Sequence, residues 1–342
     1  MSAESRGVWV VGEQKGTQLA TVTLELLTVG RKIADDLSQE LNVILIGPES
    51  SDNLRLLEEY GPDRIVLVTG GATEHYLTEI HSDSIASLVE KNRPSAILFP
   101  ATYDGRDTAA RLAARLQVGL AADCTEVRVD ETGRFVQVRP AFGGNLMATI
   151  HQPTARPQLA TLRPHIVKPA KPAKKTAPKV ERVAAVPLSN RFQKVVMKSV
   201  REVADESGNL DEAEVVIGVG RGLGGKEKLN MVNHLARLMD AAVGGSRGVV
   251  DAGWLPHNQQ IGLTGRVISP KLYMALGVSG AVQHLVGVRT AKEIVAINID
   301  PDAPIFKVAT FGIVGDMFKV VPLLISELES KSTAAANVQA TV

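Results

Sequence analysis

The residues best suited to chemistry lie in the second half of the chain, and they are donors and small residues rather than nucleophiles. Thr264-Gly265 and then Val278-Ser279-Gly280-Ala281-Val282-Gln283-His284 form a run of glycines, hydroxyls and one imidazole between two strand-like segments. Such a run is too polar for a core and too rich in glycine for a helix interior, so it leaves backbone amides bare. Upstream, residues 214–219 read as a buried β-branched strand that breaks at Gly220-Arg221-Gly222-Leu223-Gly224-Gly225. A helix is predicted over 226–240, with Leu229, Val232, Leu235, Leu238 and Met239 on one face. A glycine turn at a helix N-terminus attracts phosphate. The spacing departs from the dinucleotide fingerprint, because Leu223 stands where the third glycine of G-x-G-x-x-G belongs. A ligand-free turn from strand to helix is the bland alternative.

Three further turns share that character: Gly244-Gly245-Ser246-Arg247, Ile261-Gly262-Leu263-Thr264-Gly265, and the end of the apolar run 294–299 at Asn298. In an open parallel sheet, turns that follow apolar stretches gather at the carboxyl edge, where one extended ligand can touch all of them. Taken singly, Arg247 reads as a surface arginine and His284 as a packed imidazole with a satisfied ring. No nucleophile with its base, no paired carboxylates and no metal-spaced histidines stand beside these turns.

The elements that must position them alternate between strand and helix. Runs 8–11, 43–46, 65–68 and 96–99 are apolar and short, and helix-length amphipathic segments separate them, most clearly 19–41. That alternation predicts an α/β fold with a mostly parallel sheet covered on both faces, in each of two domains. Residues 135–139 and 146–151, continued by 159–164, suggest an antiparallel addition at the edge of the first sheet. The stretch 168–179, made of lysine, proline, alanine and one threonine, cannot form a core and predicts an extended linker. The domains are therefore expected at 1–165 and 209–330, with a connecting segment at 166–208 and a flexible tail at 331–342. In the first domain, Pro100 to Asp107 precedes a helix predicted over 108–116, and helix capping by the aspartates and Thr108 outweighs nucleotide binding there.

At 342 residues the chain can bury two cores. Its 38 basic and 37 acidic residues give a net charge of +1, which offers no pull toward nucleic acid or an anionic membrane. Cys124 is the single cysteine, so no intrachain disulfide forms, and a small buried thiol is the expected role. No apolar run approaches the roughly 20 residues that span a bilayer. With no signal or transit pattern before the run 8–11, a soluble, cytoplasmic protein of prokaryotic type is expected.

Gly220-Arg221-Gly222-Leu223, Gly245-Ser246-Arg247, Asp251-Ala252-Gly253-Trp254, Gly262-Leu263-Thr264-Gly265 and Pro270-Lys271-Leu272-Tyr273 stand in one order across the second half. Gly277 to Leu285, Ala296-Ile297-Asn298, 302–306 and 311–316 continue the series. This half closely resembles the α subunit of electron transfer flavoprotein, and Asp104-Gly105-Arg106-Asp107, 119–125 and Phe142-Gly143-Gly144-Asn145 extend the resemblance into the first domain. It implies that the C-terminal domain is a doubly wound domain binding one FAD, and that the first domain holds no flavin and packs on a β subunit. By the resemblance, Arg247 lies over the flavin ring and His284 donates at its N1 and O2 edge, both tuning its redox behaviour. Ser246 and Thr264 sit around the ring, with Ile261, Gly262 and Leu263 beside it. Arg221 and the amides of Ser279, Gly280, Ala281, Val282 and Gln283 hold the pyrophosphate, and Asn298, Asp316 and Met317 meet the ribityl and adenosine part. A unit charge about 4 Å from the ring is worth roughly 4 kcal/mol at an effective dielectric of about 20, enough to move a potential. One departure from the family pattern is Leu263, where a glutamine is frequent.

The resemblance implies a heterodimer carrying electrons from acyl-CoA dehydrogenase-type flavin dehydrogenases to a membrane quinone oxidoreductase. In a bifurcating form, electrons pass between NADH, ferredoxin and an acyl-CoA dehydrogenase. The β subunit would hold a second FAD if bifurcating, or AMP if not. Two alternatives stay open at this point. One is an NAD(P)-dependent oxidoreductase or transhydrogenase-like subunit, which would bind NAD(P) without flavin. The other is a nucleotide-sensing module of the universal-stress type, which would hold ATP or AMP near residues 102–108.

Overall fold

The computed structural model describes residues 6–70, 73–141, 146–173, 177–187, 198–199, 210 and 213–339, with side chains as far as Lys331. The expected turn 142–145 and most of the segment 191–205 lie outside these residues. Contacts divide the chain into two units, Met1–Val200 and Arg201–Val342.

The strands of the first unit are β1 (Val8–Gly12), β2 (Gln14–Lys15), β3 (Gln18–Leu19), β4 (Leu41–Ile46), β5 (Arg64–Thr69), β6 (Ala96–Pro100), β7 (Leu120–Cys124), β8 (Glu126–Val129), β9 (Phe135–Ala141), β10 (Leu146–His151), β11 (Gln158–Leu162) and β12 (Lys179–Ala184). Its helices are α1 (Thr21–Asp36), α2 (Ser51–Glu59), α3 (Thr78–Asn92) and α4 (Tyr103–Leu116). Seven strands form one sheet in the order β12-β5-β4-β1-β6-β11-β7, and every pairing within it is parallel. Every residue of β1, β4 and β6 is buried, because side chains alternate between two helix-covered faces. Val8 and Val10 meet Leu26, Leu27 and Ile33 of α1 on one face. Trp9 and Val11 meet Ile85 of α3 and Leu112 of α4 on the other.

Three expectations are corrected. The run 158–162 is no antiparallel edge: β11 lies between β6 and β7 and runs parallel to both. All its residues are buried, the signature of a strand covered on two faces, whereas β10 alternates and joins β9 and β8 in a separate antiparallel sheet. The segment expected as a linker supplies β12, which pairs with β5 at the sheet edge, where Arg64 meets Glu181 and Arg182 meets Glu49. Helix α4 begins at Tyr103 rather than at Thr108, and its cap is Thr102, whose hydroxyl accepts from the Gly105 amide at 3.1 Å.

The second unit contains β13 (Val215–Val219), β14 (Ala242–Gly245), β15 (Leu272–Leu276), β16 (Glu293–Asn298) and β17 (Phe311–Val314). They form a parallel sheet in the order β14-β13-β15-β16-β17. Its helices are α5 (Leu229–Met239), α6 (Arg247–Asp251), α7 (Val282–Leu285) and α8 (Met317–Gln339). Helix α5 is shorter than the predicted 226–240 because its first turn, Lys226–Lys228, is a 3₁₀ helix. Helix α8 continues to Gln339, through most of the stretch expected as a tail. Val232 and Leu235 of α5 and Val321 of α8 cover one face over Ile217 and Leu276. Tyr273, Ile261 and Ile305 belong to the core of the other.

Tyr273 is fully buried, and its bulk dictates a glycine in the neighbouring central strand: a Cβ on Gly218 would sit 1.8 Å from the Tyr273 hydroxyl oxygen. Gly218→Ala therefore overpacks the sheet and should lower the stability of the second unit by about 2–3 kcal/mol in urea unfolding. An unchanged midpoint would show that the tyrosine yields easily.

Candidate functional site

The chain of the second unit runs from β13 outward to β14 and returns to β15 on the other side of β13, so the strand order reverses between β13 and β15. Ligands bind at the carboxyl ends of strands beside such a reversal. The predicted residues fall there with regularity. Arg221 follows β13, Ser246 and Arg247 follow β14, Ser279 to His284 follow β15, Asn298 ends β16, and Asp316 and Met317 follow β17. The fold thus brings five strand ends to one edge. Residues Ile261 to Thr264 join them through hydrogen bonds: the Ile261 amide donates to Gly245 O at 2.8 Å, and the Leu263 amide to Gln283 O at 2.7 Å.

Glycine makes the convergence possible. A Cβ on Gly220 would lie 2.0 Å from the Gly277 carbonyl oxygen, and one on Gly222 would lie 2.8 Å from the Gly277 Cα. Gly280, at φ +84, comes equally close to the Ile305 amide. The amides of Gly220, Gly222 and Gly277 are themselves taken up there, donating to Leu276 O at 2.9 Å, Gly277 O at 3.1 Å and Ile297 O at 2.9 Å. In the run after β15, the amide that closes a turn is that of His284, donating to Ala281 O at 2.8 Å. Ser279 and 281–283 before it are exposed.

The charged and apolar groups are distributed around that backbone. Arg221 packs on Gly248 in α6, at whose first turn Arg247 stands. Arg247 is largely exposed and pairs with Asp251 one turn on, Nε to Oδ2 at 3.3 Å. Leu263 and Val282 are exposed apolar side chains, which a flat apolar ligand would cover. Thr264 accepts from Gln260 Nε2 at 2.9 Å. Asn298 donates to Val278 O at 2.9 Å and accepts from the Asp300 amide. Asp316 caps α8 through Oδ1, which accepts from the Phe318 amide at 2.9 Å. Met317 is buried, with its sulfur near Gly277.

His284 is buried, and both of its ring nitrogens are engaged within the protein. Nδ1 lies 3.1 Å from the Ile261 carbonyl oxygen and Nε2 lies 2.7 Å from the Tyr273 hydroxyl. Burial pushes its pKa down to about 4, against the smaller opposing effect of the Ile261 carbonyl, so the ring is neutral at physiological pH. Tyr273 was given no role by sequence reasoning. The available signal is a phenol inside a strand whose other side chains are all apolar, because a buried hydroxyl needs a partner.

The first unit reverses its strand order between β1 and β6, and a cavity of about 360 Å³ opens there, lined among others by Glu13, Glu74, Tyr76, His81 and Asp104. Its helix end is already taken. The Glu13 carboxylate accepts from the Thr102 hydroxyl, which in turn accepts from the Gly105 amide at the start of α4, where a phosphate would otherwise sit. Burial pushes Glu13 up to about 7, the Thr102 bond opposes this, and the Asp104 charge adds to it. Asp107 accepts from Tyr76 at 2.8 Å and Thr78 at 2.5 Å, and Arg106 approaches Asp123 at 3.5 Å. The Asp104-Gly105-Arg106-Asp107 motif thus fastens neighbouring loops. Cys124 is buried and its thiol is raised to about 12, which leaves it inert. Among the described residues no group of three or more His, Cys, Asp or Glu is arranged to hold a metal ion, and no helix is long and apolar enough to cross a membrane.

Residues 8–188 match the family model described as the electron transfer flavoprotein domain, and residues 209–289 match the electron transfer flavoprotein FAD-binding domain. The chain is 42% identical over 324 residues to an electron transfer flavoprotein subunit alpha of Thermoanaerobacterium thermosaccharolyticum, covering 95% of this chain and 98% of the relative. It is 40% identical to the protein FixB of Clostridium saccharobutylicum, over 95% of this chain and 97% of that one. It is 36% identical to an acryloyl-CoA reductase electron transfer subunit beta of Anaerotignum propionicum, over 96% and 97% of the two chains.

The carboxylate wedged at the α4 terminus yields a pH-dependent outcome. A carboxyl whose folded pKa is raised binds its proton more tightly in the folded state, so its stabilisation is full below the unfolded value near 4.5 and is lost as pH rises through about 7. Glu13→Gln removes that loss. In thermal unfolding the variant should gain on the order of 2 kcal/mol over the parent at pH 8, with the difference closing toward pH 4.5. A gap that does not vary with pH would mean that Glu13 titrates normally.

Proposed function

The chain belongs to the family of electron transfer flavoprotein α subunits, with its electron-transfer role, and from that premise we propose that its second unit binds one FAD along the carboxyl edge of the sheet. The observation that carries the reading is the meeting of five strand ends at one edge, with glycines that admit no Cβ after β13 and β15. Such a cradle offers amides to a pyrophosphate and exposed apolar side chains to a ring. FAD, when bound, supplies a ring that accepts and returns electrons one or two at a time.

The chain's own residues then bind, orient and shield. Arg221 and the amides of Ser279 to Gln283 neutralise and hold the pyrophosphate. Arg247 sets a permanent positive charge against the ring, because a guanidinium keeps its proton in a partly dry site and its plane can stack. Ser246 and Thr264 offer hydroxyls at the ring, and Leu263 and Val282 exclude water from it. Asp316 caps α8 with one carboxylate oxygen and keeps the other for a ligand hydroxyl, next to the Asn298 amide. His284 stands by as a neutral imidazole.

The proposed working form is a cytoplasmic heterodimer with an electron transfer flavoprotein β subunit. It takes electrons from acyl-CoA dehydrogenase-type partners and passes them to an acceptor oxidoreductase. The relative named for acryloyl-CoA reductase supports a donor or acceptor of acyl-CoA chemistry.

Co-purified with its β subunit, the protein should be yellow, and mild denaturation should release one FAD attributable to this chain. One FAD and one AMP per heterodimer indicates the simple carrier, whereas two FAD indicates a bifurcating complex. Arg247→Ala should weaken FAD binding about 10-fold, or about 1.4 kcal/mol, and lower the two-electron potential by roughly 30 mV. An unaltered visible spectrum and redox titration would remove Arg247 from the ring site.

A further inference from the structure

Three elements of the second unit meet at one buried imidazole. Tyr273 comes from the middle of the sheet, His284 from α7, and Ile261 from the loop that carries Thr264. The hydrogen-bond directions between them are fixed by chemistry. A carbonyl oxygen can only accept, so the ring proton facing Ile261 O belongs to Nδ1, and the bond is Nδ1–H to oxygen at 3.1 Å. A neutral imidazole with its proton on Nδ1 has a lone pair on Nε2. The Tyr273 hydroxyl, 2.7 Å away, must therefore donate to it. Each group in the chain is satisfied once, and reversing either bond would leave a carbonyl facing a lone pair.

The same loop is clamped on its other sides. The Ile261 amide donates to Gly245 O at 2.8 Å, next to Ser246, and the Leu263 amide donates to Gln283 O at 2.7 Å. A Cβ on Gly287 would lie 2.4 Å from the Gly262 amide nitrogen, so the loop rests directly on the turn after α7. The relay from Tyr273 thus fixes the loop holding Leu263 and Thr264 and orients α7. A donor from His284 to a bound ring would require one of its two protein bonds to open.

We propose that Tyr273 is a positioning residue for the flavin site: its hydroxyl locks His284 as the neutral Nδ1–H tautomer, and His284 in turn pins the Ile261 to Thr264 loop against the crevice. This rests on the reading that the crevice binds FAD, but the tautomer itself does not. The titratable groups on the elements around the imidazole are Tyr273 from β15, His257 and Arg266 from the preceding loop, and Arg289 from the turn that follows α7. Arg266 is turned to Asn258 O, to which its Nε donates at 2.7 Å. Burial and the Tyr273 donor both favour the uncharged ring.

The experiment uses the full chain with its β subunit, with and without FAD, and compares the parent with Tyr273→Phe. Imidazole ¹⁵N correlation spectra of the parent should show His284 protonated on Nδ1 and resisting protonation down to about pH 4. In Tyr273→Phe the Nε2 lone pair loses its donor, so the tautomers mix and the ring titrates at higher pH. FAD should bind the variant about 10-fold more weakly at pH 8, equivalent to about 1.4 kcal/mol. Its affinity should then recover as pH falls and the ring becomes cationic, a pH dependence the parent lacks. An Nε2–H tautomer in the parent overturns the proposal whether or not the variant folds. So does a variant with the parent's tautomer, affinity and pH profile. A parent with the predicted tautomer but no FAD would instead refute FAD binding and leave the relay intact.

Discussion

The second unit depends on two loops approaching closely enough that neither can carry a side chain at the point of contact. The loop after β13 meets the loop after β15 backbone to backbone, with the Gly222 amide donating to Gly277 O at 3.1 Å. Alanine at Gly220 would put a methyl carbon inside the van der Waals shell of that same oxygen. This closeness brings the loops after β13 and β15 together with no side chain between them. The cost is conformational, since glycine loses more backbone freedom on folding than other residues do. The β-branched strands on either side and the α5 and α8 faces that cover them offset it.

Both units reverse their strand order and therefore offer a crevice at the same place in the sheet, yet they use it in opposite ways. In the first, the residue after β1 is Glu13, whose carboxylate reaches the start of α4 by accepting from the capping Thr102 hydroxyl. In the second, the residue after β13 is Gly220, and Arg221 comes next. An anion entering the first crevice would meet Glu13 and Asp104, whereas the second edge carries Arg221 and Arg247 alongside Asp251 and Asp316. The difference lies in a few residues at strand ends and not in the fold, which is why an α/β architecture alone says little about what a domain binds.

Much of this was legible in the residues. The strands at 8–11, 43–46, 65–68 and 96–99 announced themselves as continuous apolar runs, because a strand buried on two faces has no reason to alternate. The same rule applied to Gln158–Leu162 would have placed it inside the sheet, but its neighbours alternate and drew it into their pattern. Strand β12 was hidden by composition. Lysine and proline before it signal a linker, and only an edge strand tolerates such a mixture of charge and valine. The gathering of the glycine, hydroxyl and arginine turns at one carboxyl edge was legible too, since each follows an apolar run in a parallel sheet. The Tyr273 to His284 bond was not, because residues eleven apart on a strand and a short helix share no sequence period.

That hidden bond changes the electrostatic picture of the edge. The expected role of His284 is a donor at the flavin edge, and its ring is neutral, because desolvation opposes the charged form and the tyrosine donor favours the uncharged one. Arg247 lies at the opposite extreme, in solvent and, among the described residues, paired with Asp251 across one helical turn, an arrangement worth little to stability. The weakness of that pair is what makes the guanidinium available, since swinging it onto a flat ligand gives up a solvent-screened contact and gains one from which water is excluded. Of the two residues expected at the flavin ring, Arg247 is the exposed permanent charge and His284 the buried neutral group. The imidazole is held by Tyr273 and the Ile261 carbonyl while the guanidinium keeps its own proton, so the two do not titrate against each other.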